Sequence, residues 1–232
     1  MGHDPLVART RRAWVELAGV PVTFPGAGGA EVVVAPRSLL CPPGWAGIVA
    51  IGDAAIATAP AEGVAGAVRK ALDGLPVPAL TDPDRLRAAV PLVDVLGPAT
   101  LAYLDGREFR PAGSTTVEEL PGDHADLAAL VVSVPPADAE ECGLGDITSP
   151  AFVVRDGTRV AAAAGYARWL GGIAHLCVLT ASDLRGRGLA RVVASAAVAD
   201  GLDKQLLPQW RARPEPSRRV ARALGFRRLG AS

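Results

Sequence analysis

The chain has 232 residues, half of them hydrophobic, and its 24 basic and 24 acidic residues balance to a net charge of zero. That apolar content excludes an intrinsically disordered chain, and the length suits one large domain or two small ones. No uninterrupted apolar run reaches the about 18 residues of a membrane-spanning helix, and Met1-Gly2-His3-Asp4-Pro5 lacks a basic-then-apolar leader pattern, so no membrane partner is expected.

In chain order, Arg9 to Leu17 predicts a short amphipathic helix ending at Gly19, and the β-branched run Glu31 to Ala35 predicts a strand. Gly47–Ile51 and Ala54–Ala57 read as two strands around the turn Gly52-Asp53. Ala61–Leu72 is helical, with Glu62 near its start and Arg69 and Lys70 near its end, as the helix dipole favours. Asp82-Pro83-Asp84 starts a further helix, because Asp caps and Pro fits the first turn. Ala99–Leu104 is a strand, and Arg110–Ser114, with Pro111 and Gly113, is the best linker. It divides an α/β region, residues 1–112, from a second domain, residues 115–232.

Behind the linker the pattern restarts. Thr116–Leu120 predicts a strand, His124–Val132 a helix and Ala137–Cys142 a short helix. Ala151–Val154, Val160–Trp169 and Ile173–Leu179, joined by turns at Asp156-Gly157 and Gly171-Gly172, predict an antiparallel meander. A helix from Arg187 to about Gly201 follows. Leu206–Arg211 is a strand, and Pro208 within it points to an edge or a bulge. Pro216–Leu224 is a helix closed by Gly225, and Phe226–Leu229 is a last strand. The fold class is therefore α+β, with a mixed α/β sheet.

The zero net charge hides an asymmetry. Residues 185–232 hold ten Arg, one Lys and three acidic residues, a surplus of +8 that suits an anionic ligand. Nucleic acid fits poorly, because aromatic platforms for stacking bases are missing. A salt-dependent DNA affinity would be its mark. Cys41, Cys142 and Cys177 form an odd, scattered set without CxxC spacing, which argues for a reducing, cytoplasmic location and against a zinc cluster. His3, His124 and His175 are equally scattered, so no metal site is expected. Gly26-Ala27-Gly28-Gly29 precedes a strand rather than a helix, so it is no dinucleotide fingerprint.

The informative stretch is Ile173 to Ala190: a strand, a short loop, then Arg185-Gly186-Arg187-Gly188-Leu189-Ala190 opening a helix. A helix start leaves four N–H groups unpaired and carries partial positive charge. Glycines there let backbone amides approach a pyrophosphate, and Arg185 and Arg187 can add charge-assisted bonds. A glycine-rich turn before a helix is also a common connector, and the loop alone does not decide between the two.

The order of elements adds to it. From about Thr116 to its end the chain resembles the GNAT superfamily of N-acetyltransferases. The superfamily's signature (Arg or Gln, two residues, Gly, one residue, Gly or Ala) is matched by Arg185, Gly188 and Ala190. The strand Ala174–Thr180 sits where the family's fourth strand sits, and the run Ser217–Phe226, closing in Leu224-Gly225-Phe226, resembles its second motif. The resemblance implies a GNAT-like fold in which pantetheine of acetyl-CoA lies between splayed strands. Val178, Leu179 and Thr180 would then line the pantetheine. The amides of Gly186, Arg187, Gly188, Leu189 and Ala190 would hold the pyrophosphate with Arg185 beside them, and Ser217 would reach the cofactor. It further implies direct attack of a primary amine, on a small molecule or a peptide, on the thioester.

Three positions depart from the family pattern. Ala221 stands where many members have the Tyr that protonates the sulfur, and Pro214 where many have Asn. Few residues follow Phe226 for the usual closing hairpin, so the N-terminal region is expected to cover part of the sheet. That region is either an accessory α/β unit or a degenerate copy of the same fold. Glu141 and His175 are the leading candidates for handling the substrate ammonium and its proton, with Glu140 and Asp183 as further candidates and Tyr166 as an alternative proton donor. Asp183 is more simply a helix N-cap, and Tyr166 and Trp210 packing residues. A homodimer is an open expectation. A CoA-binding module without catalysis is the alternative reading, motivated by Ala221.

Overall fold

The computed structural model describes residues 4–26, 28–88, 93–113 and 116–232. His3, Ala27, Thr115 and the last residue of the expected linker, Ser114, lie outside them. In chain order the elements are α1 (Pro5–Ala18), β1 (Ala30–Val34), β2 (Gly47–Ile51), β3 (Ala54–Ala59), α2 (Glu62–Leu72), α3 (Pro83–Arg87), β4 (Thr100–Tyr103) and β5 (Glu118–Leu120). Then come α4 (Ala125–Val132), α5 (Pro136–Cys142), β6 (Ala151–Asp156), β7 (Arg159–Trp169), β8 (Ile173–Thr180), α6 (Leu189–Asp203), β9 (Leu207–Ala212), α7 (Glu215–Ala223) and β10 (Arg227–Ala231). The mixed α/β class read from the sequence holds, and short 3-10 turns connect several elements.

The chain divides into two compact units, Met1–Ala102 with Arg228–Ser232, and Tyr103–Arg227. The division falls ahead of the expected linker. Residues 110 and 112 are tied into the second unit: Arg110 N–H donates to the Leu224 carbonyl at 3.0 Å, and Ala112 N–H to Ser195 Oγ at 2.9 Å.

In the first unit the strand order is β1-β3-β2-β10-β4. Asp4 accepts the Leu6 N–H at 3.0 Å and Pro5 takes the first helical position, so α1 begins four residues before the apolar periodicity suggests. Its buried face is Leu6, Thr10, Ala13, Trp14 and Leu17. The hairpin β2–β3 is antiparallel, β1 runs parallel to β3, and every residue of β3 is buried, as in a strand covered on both faces. Val32, Ala65, Val68, Leu72 and Leu80 form the core beneath α2. The terminal strand β10 pairs antiparallel with β2 through Gly230 and Ala231, so the last residues fold with the N-terminal unit.

In the second unit the order is β9-β8-β7-β6-β5. Strands β5 to β8 form an antiparallel run, and β9 returns parallel to β8 after the crossover helix α6. On one face, α4 and α5 cover a core of Leu120, Leu127, Leu130, Val153, Leu179 and Leu184. On the other, α6 packs closely because the contact residues are small: a Cβ on Gly201 would stand 3.4 Å from the Ala174 Cβ. Pro208 is not at an edge. It is paired with Ala174 of β8, while its carbonyl accepts the Leu104 N–H at 3.2 Å on the other side. A proline is tolerated there because its carbonyl remains available to a neighbour.

Candidate functional site

The site begins where two strands part. Strands β8 and β9 are in register only at Ile173–Leu207, Ala174–Pro208 and His175–Gln209. β8 then continues to Thr180 and β9 to Ala212 with no further pairing among the described residues. Unpaired main-chain groups along Leu176–Thr180 therefore face a gap, and such groups need partners. A cleft of about 590 Å³ occupies this gap. The loop after β8 forms one wall and α7 another.

That loop turns through Ser182–Leu184 and then through Gly186 (φ 79°) and Gly188 (φ 78°), both left-handed. Gly188 is the N-cap of α6, and no side chain caps this helix. A Cβ at either glycine would meet nothing within 4 Å. The glycines thus answer to backbone conformation and to open space at the helix start, where N–H groups are directed outward.

The cleft brings together nearly all of the residues named from the sequence. Val178, Leu179, Thr180, Arg185, Gly186, Gly188, Leu189, Ala190 and Ser217 line it, as do Glu141 and His175. Arg187 does not line it. Ser217 Oγ accepts the Trp210 indole N–H at 2.9 Å, which leaves its own O–H to donate. Thr180 Oγ1 is buried without a hydrogen-bond partner among the described residues. Arg185 is held in an ion pair with Asp138 of α5 at 2.9 Å.

The opposite wall holds the titratable groups. His175 Nδ1 lies 2.8 Å from Gln209 Oε1, and Gln209 Nε2 donates to Tyr103 Oη at 2.7 Å. With the amide so oriented, Nδ1 of the neutral ring carries the proton and Nε2 is the acceptor. The ring stacks on Trp169 at 4.2 Å. Burial pushes its pKa down to about 4, against the Gln209 bond and with some help from the Arg211 charge, so at neutral pH the imidazole is uncharged. Glu141 accepts from Arg213. One residue away, Glu140 is exposed and off the cleft, since a helix turns about 100° per residue.

Two other candidates are placed elsewhere. Tyr166 donates to Asp200 Oδ2 at 2.7 Å against α6, with Lys204 over its ring, and does not line the cleft. Asp183 pairs with Arg159 at 2.6 Å instead of capping α6, a position Gly188 takes. Burial pushes the Cys177 thiol up to about 12, so it is no nucleophile at neutral pH. Asp138, Arg191, Trp210, Arg211 and Arg219 also line the cleft. Of these only Trp210 is a candidate from the sequence. Strand alternation of Arg211 with Gln209, and the first-turn position of Arg191, were the available signals.

Residues 150–231 supply most of this lining, apart from Asp138, Glu141 and Cys142 of α5. This stretch matches the family model described as GNAT acetyltransferase. The match makes residues 150–231 similar to a GNAT acetyltransferase domain. The matched stretch runs from β6 into β10 and contains the gap between β8 and β9, the glycine loop and α7. Solved structures similar to the chain include a GNAT-family acetyltransferase of Novosphingobium aromaticivorans, at 24% identity over 58% of this chain and 60% of that one, with a TM-score of 0.47. A GCN5-related N-acetyltransferase of Kribbella flavida shows 14% identity over 60% of this chain and 57% of its own, also with a TM-score of 0.47. The chain thus spans about 60% of the length of these structures. No curated protein matches it. Among the described residues, no helix is long and apolar enough to cross a membrane.

Proposed function

We propose that the GNAT domain transfers an acetyl group from acetyl-CoA to a primary amine of a small molecule or peptide. The observation that carries this reading is the uncapped, glycine-opened start of α6 at the mouth of the cleft where β8 and β9 part. The residues present fit such a cosubstrate. Backbone amides from Arg185 to Ala190 suit a pyrophosphate, with Arg191 and Arg219 as further cations. The unpaired edge of β8 and the orphaned Thr180 Oγ1 suit the amide-bearing pantetheine arm, and Ser217 O–H adds a donor.

Acetyl-CoA supplies an acyl group activated as a thioester. The amine nitrogen forms the new C–N bond at the carbonyl carbon while the C–S bond breaks, and sulfur leaves with the electron pair and takes up a proton. The role of the protein is alignment and proton handling. His175, neutral with Nε2 as acceptor, takes a hydrogen bond from the amine as the bond forms. Glu141, held by Arg213, supplies negative charge beside the incoming ammonium. Ala221 offers no hydroxyl for the sulfur, so the proton comes from the amine by way of solvent. The three free cysteines support a reducing cytoplasm as the place of action.

An acetyl-CoA-dependent screen over an amine library, read by thiol release, tests this. Turnover of at least one amine, lost on Gly188→Glu, is the expected result. CoA binding without turnover of any amine would reject the catalytic reading.

A further inference from the structure

We propose that the acceptor amine carries an anionic group and that Arg211 receives it. The inference rests on the acetyltransferase reading and names the substrate class for that same cleft. Side chains alternate along a strand. The Trp210 indole reaches Ser217 on α7, so its neighbours Gln209 and Arg211 project to the other side of the sheet. That is where Gln209 meets His175 and where Arg213, two residues further on, meets Glu141. Arg211 thus stands on the His175 side of the cleft, away from the wall formed by α7.

The other cations of the cleft have evident work. Arg185 is paired with Asp138, and Arg191 in the first turn of α6 and Arg219 on α7 line the cleft as the cations assigned above to the phosphates. Arg211 has no hydrogen bond and no ion pair among the described residues. The carboxylate that favours its charge, Glu141, is already taken by Arg213, and Arg213 itself adds a like charge. The side chain is open to the cleft yet ringed by protein, and this surrounding disfavours its charge. A guanidinium so placed gains most from an anion that enters the cleft, and its planar fork fits a carboxylate or a phosphate. Gln209 and Arg211 are two strand positions apart, about 7 Å. An amine held at His175 and an anion at Arg211 are therefore joined by a short spacer, as in an amino acid or a small phosphoamine.

The test uses the full chain and two measurements. Acetyl transfer is followed with amino acids against their amides, and with O-phosphoethanolamine against ethanolamine. In parallel, CoA-saturated protein is titrated calorimetrically with N-acetyl amino acids and their amides. The expected result is a preference of at least about tenfold for the anionic member of a pair. The two pairs show whether a carboxylate or a phosphate is the group recognised. Arg211→Gln should bring the ratio to within about twofold, with CoA affinity and melting temperature unchanged, and Arg211→Lys should keep part of the preference. Wild-type protein that binds CoA but treats both members alike in transfer and in titration overturns the inference and leaves the acetyltransferase reading standing. So does an Arg211→Gln variant that keeps the preference. Wild-type protein that binds no CoA overturns both.

Discussion

Changing Gly188 to Ala separates what the loop costs the fold from what it gives the ligand. Gly188 sits at φ 78° and a Cβ there meets nothing within 4 Å. The penalty is therefore backbone conformation alone, about 1–2 kcal/mol for an L-residue in the left-handed region. In a unit of this size that lowers the melting temperature by roughly 2–8 °C. Gly157, in the β6–β7 turn, is the matched control: φ is 63°, and a Cβ again meets nothing within 4 Å. Gly157→Ala should show the same thermal loss. Only Gly188→Ala places a methyl group among the amides at the start of α6. Losing one charge-assisted bond to a pyrophosphate costs about 1.5–3 kcal/mol, or roughly ten- to a hundredfold in Kd. Thermal melts and CoA calorimetry on the two variants give the comparison. Equal CoA affinity in the two would refute the assignment of this loop to the phosphates.

Other expectations follow from the same geometry. Gln209→Leu strips the buried His175 Nδ1 of its partner and removes a bond from the Tyr103 hydroxyl, and should cost about 1–3 kcal/mol in urea unfolding. A loss no larger than that of an exposed substitution would contradict the network. The folded pKa of His175, about 4, lies below the ordinary 6.5, so the unfolded chain binds more protons between these values. Its contribution is fully present above pH 6.5 and is lost as pH falls towards 4, by at most about 3 kcal/mol. The unfolding free energy of His175→Gln should therefore vary less steeply over that window than the wild type's, and parallel profiles would reject the neutral, buried imidazole. Gly225→Ala should be severe. The new Cβ would lie 2.1 Å from the Glu108 carbonyl oxygen at φ 98°, a loss of at least about 3 kcal/mol that a denaturant melt would detect.

What could be read from the sequence was what is local. The meander β6–β8 shows itself by alternation and turn glycines, and α3 by Asp82 before Pro83. The same Asp-Pro signal stands at Asp4-Pro5, and it rather than the apolar periodicity marks the start of α1. The glycine loop was legible because a tight turn, a helix start and phosphate chemistry all require the same residues. Partnerships across the fold were not legible. Arg185 meets Asp138 from 47 residues away, and Gln209 meets Tyr103 from 106. Asp183 resembles a cap in the sequence because its partner Arg159 lies 24 residues away, at the start of β7. Pro208 looked like an edge because the sequence does not show that its carbonyl would be used. Arg211 is silent in the sequence for the converse reason: only the fold shows which cleft arginines already have partners.

The central claim is that the gap between β8 and β9, closed by the loop Arg185–Ala190, holds CoA. Calorimetric titration of the full chain with CoA tests it most directly. One site per chain is expected, weakened strongly by Gly188→Glu and by Arg185→Glu. Absence of heat and of binding in the wild type, or affinity untouched by both substitutions, would contradict it.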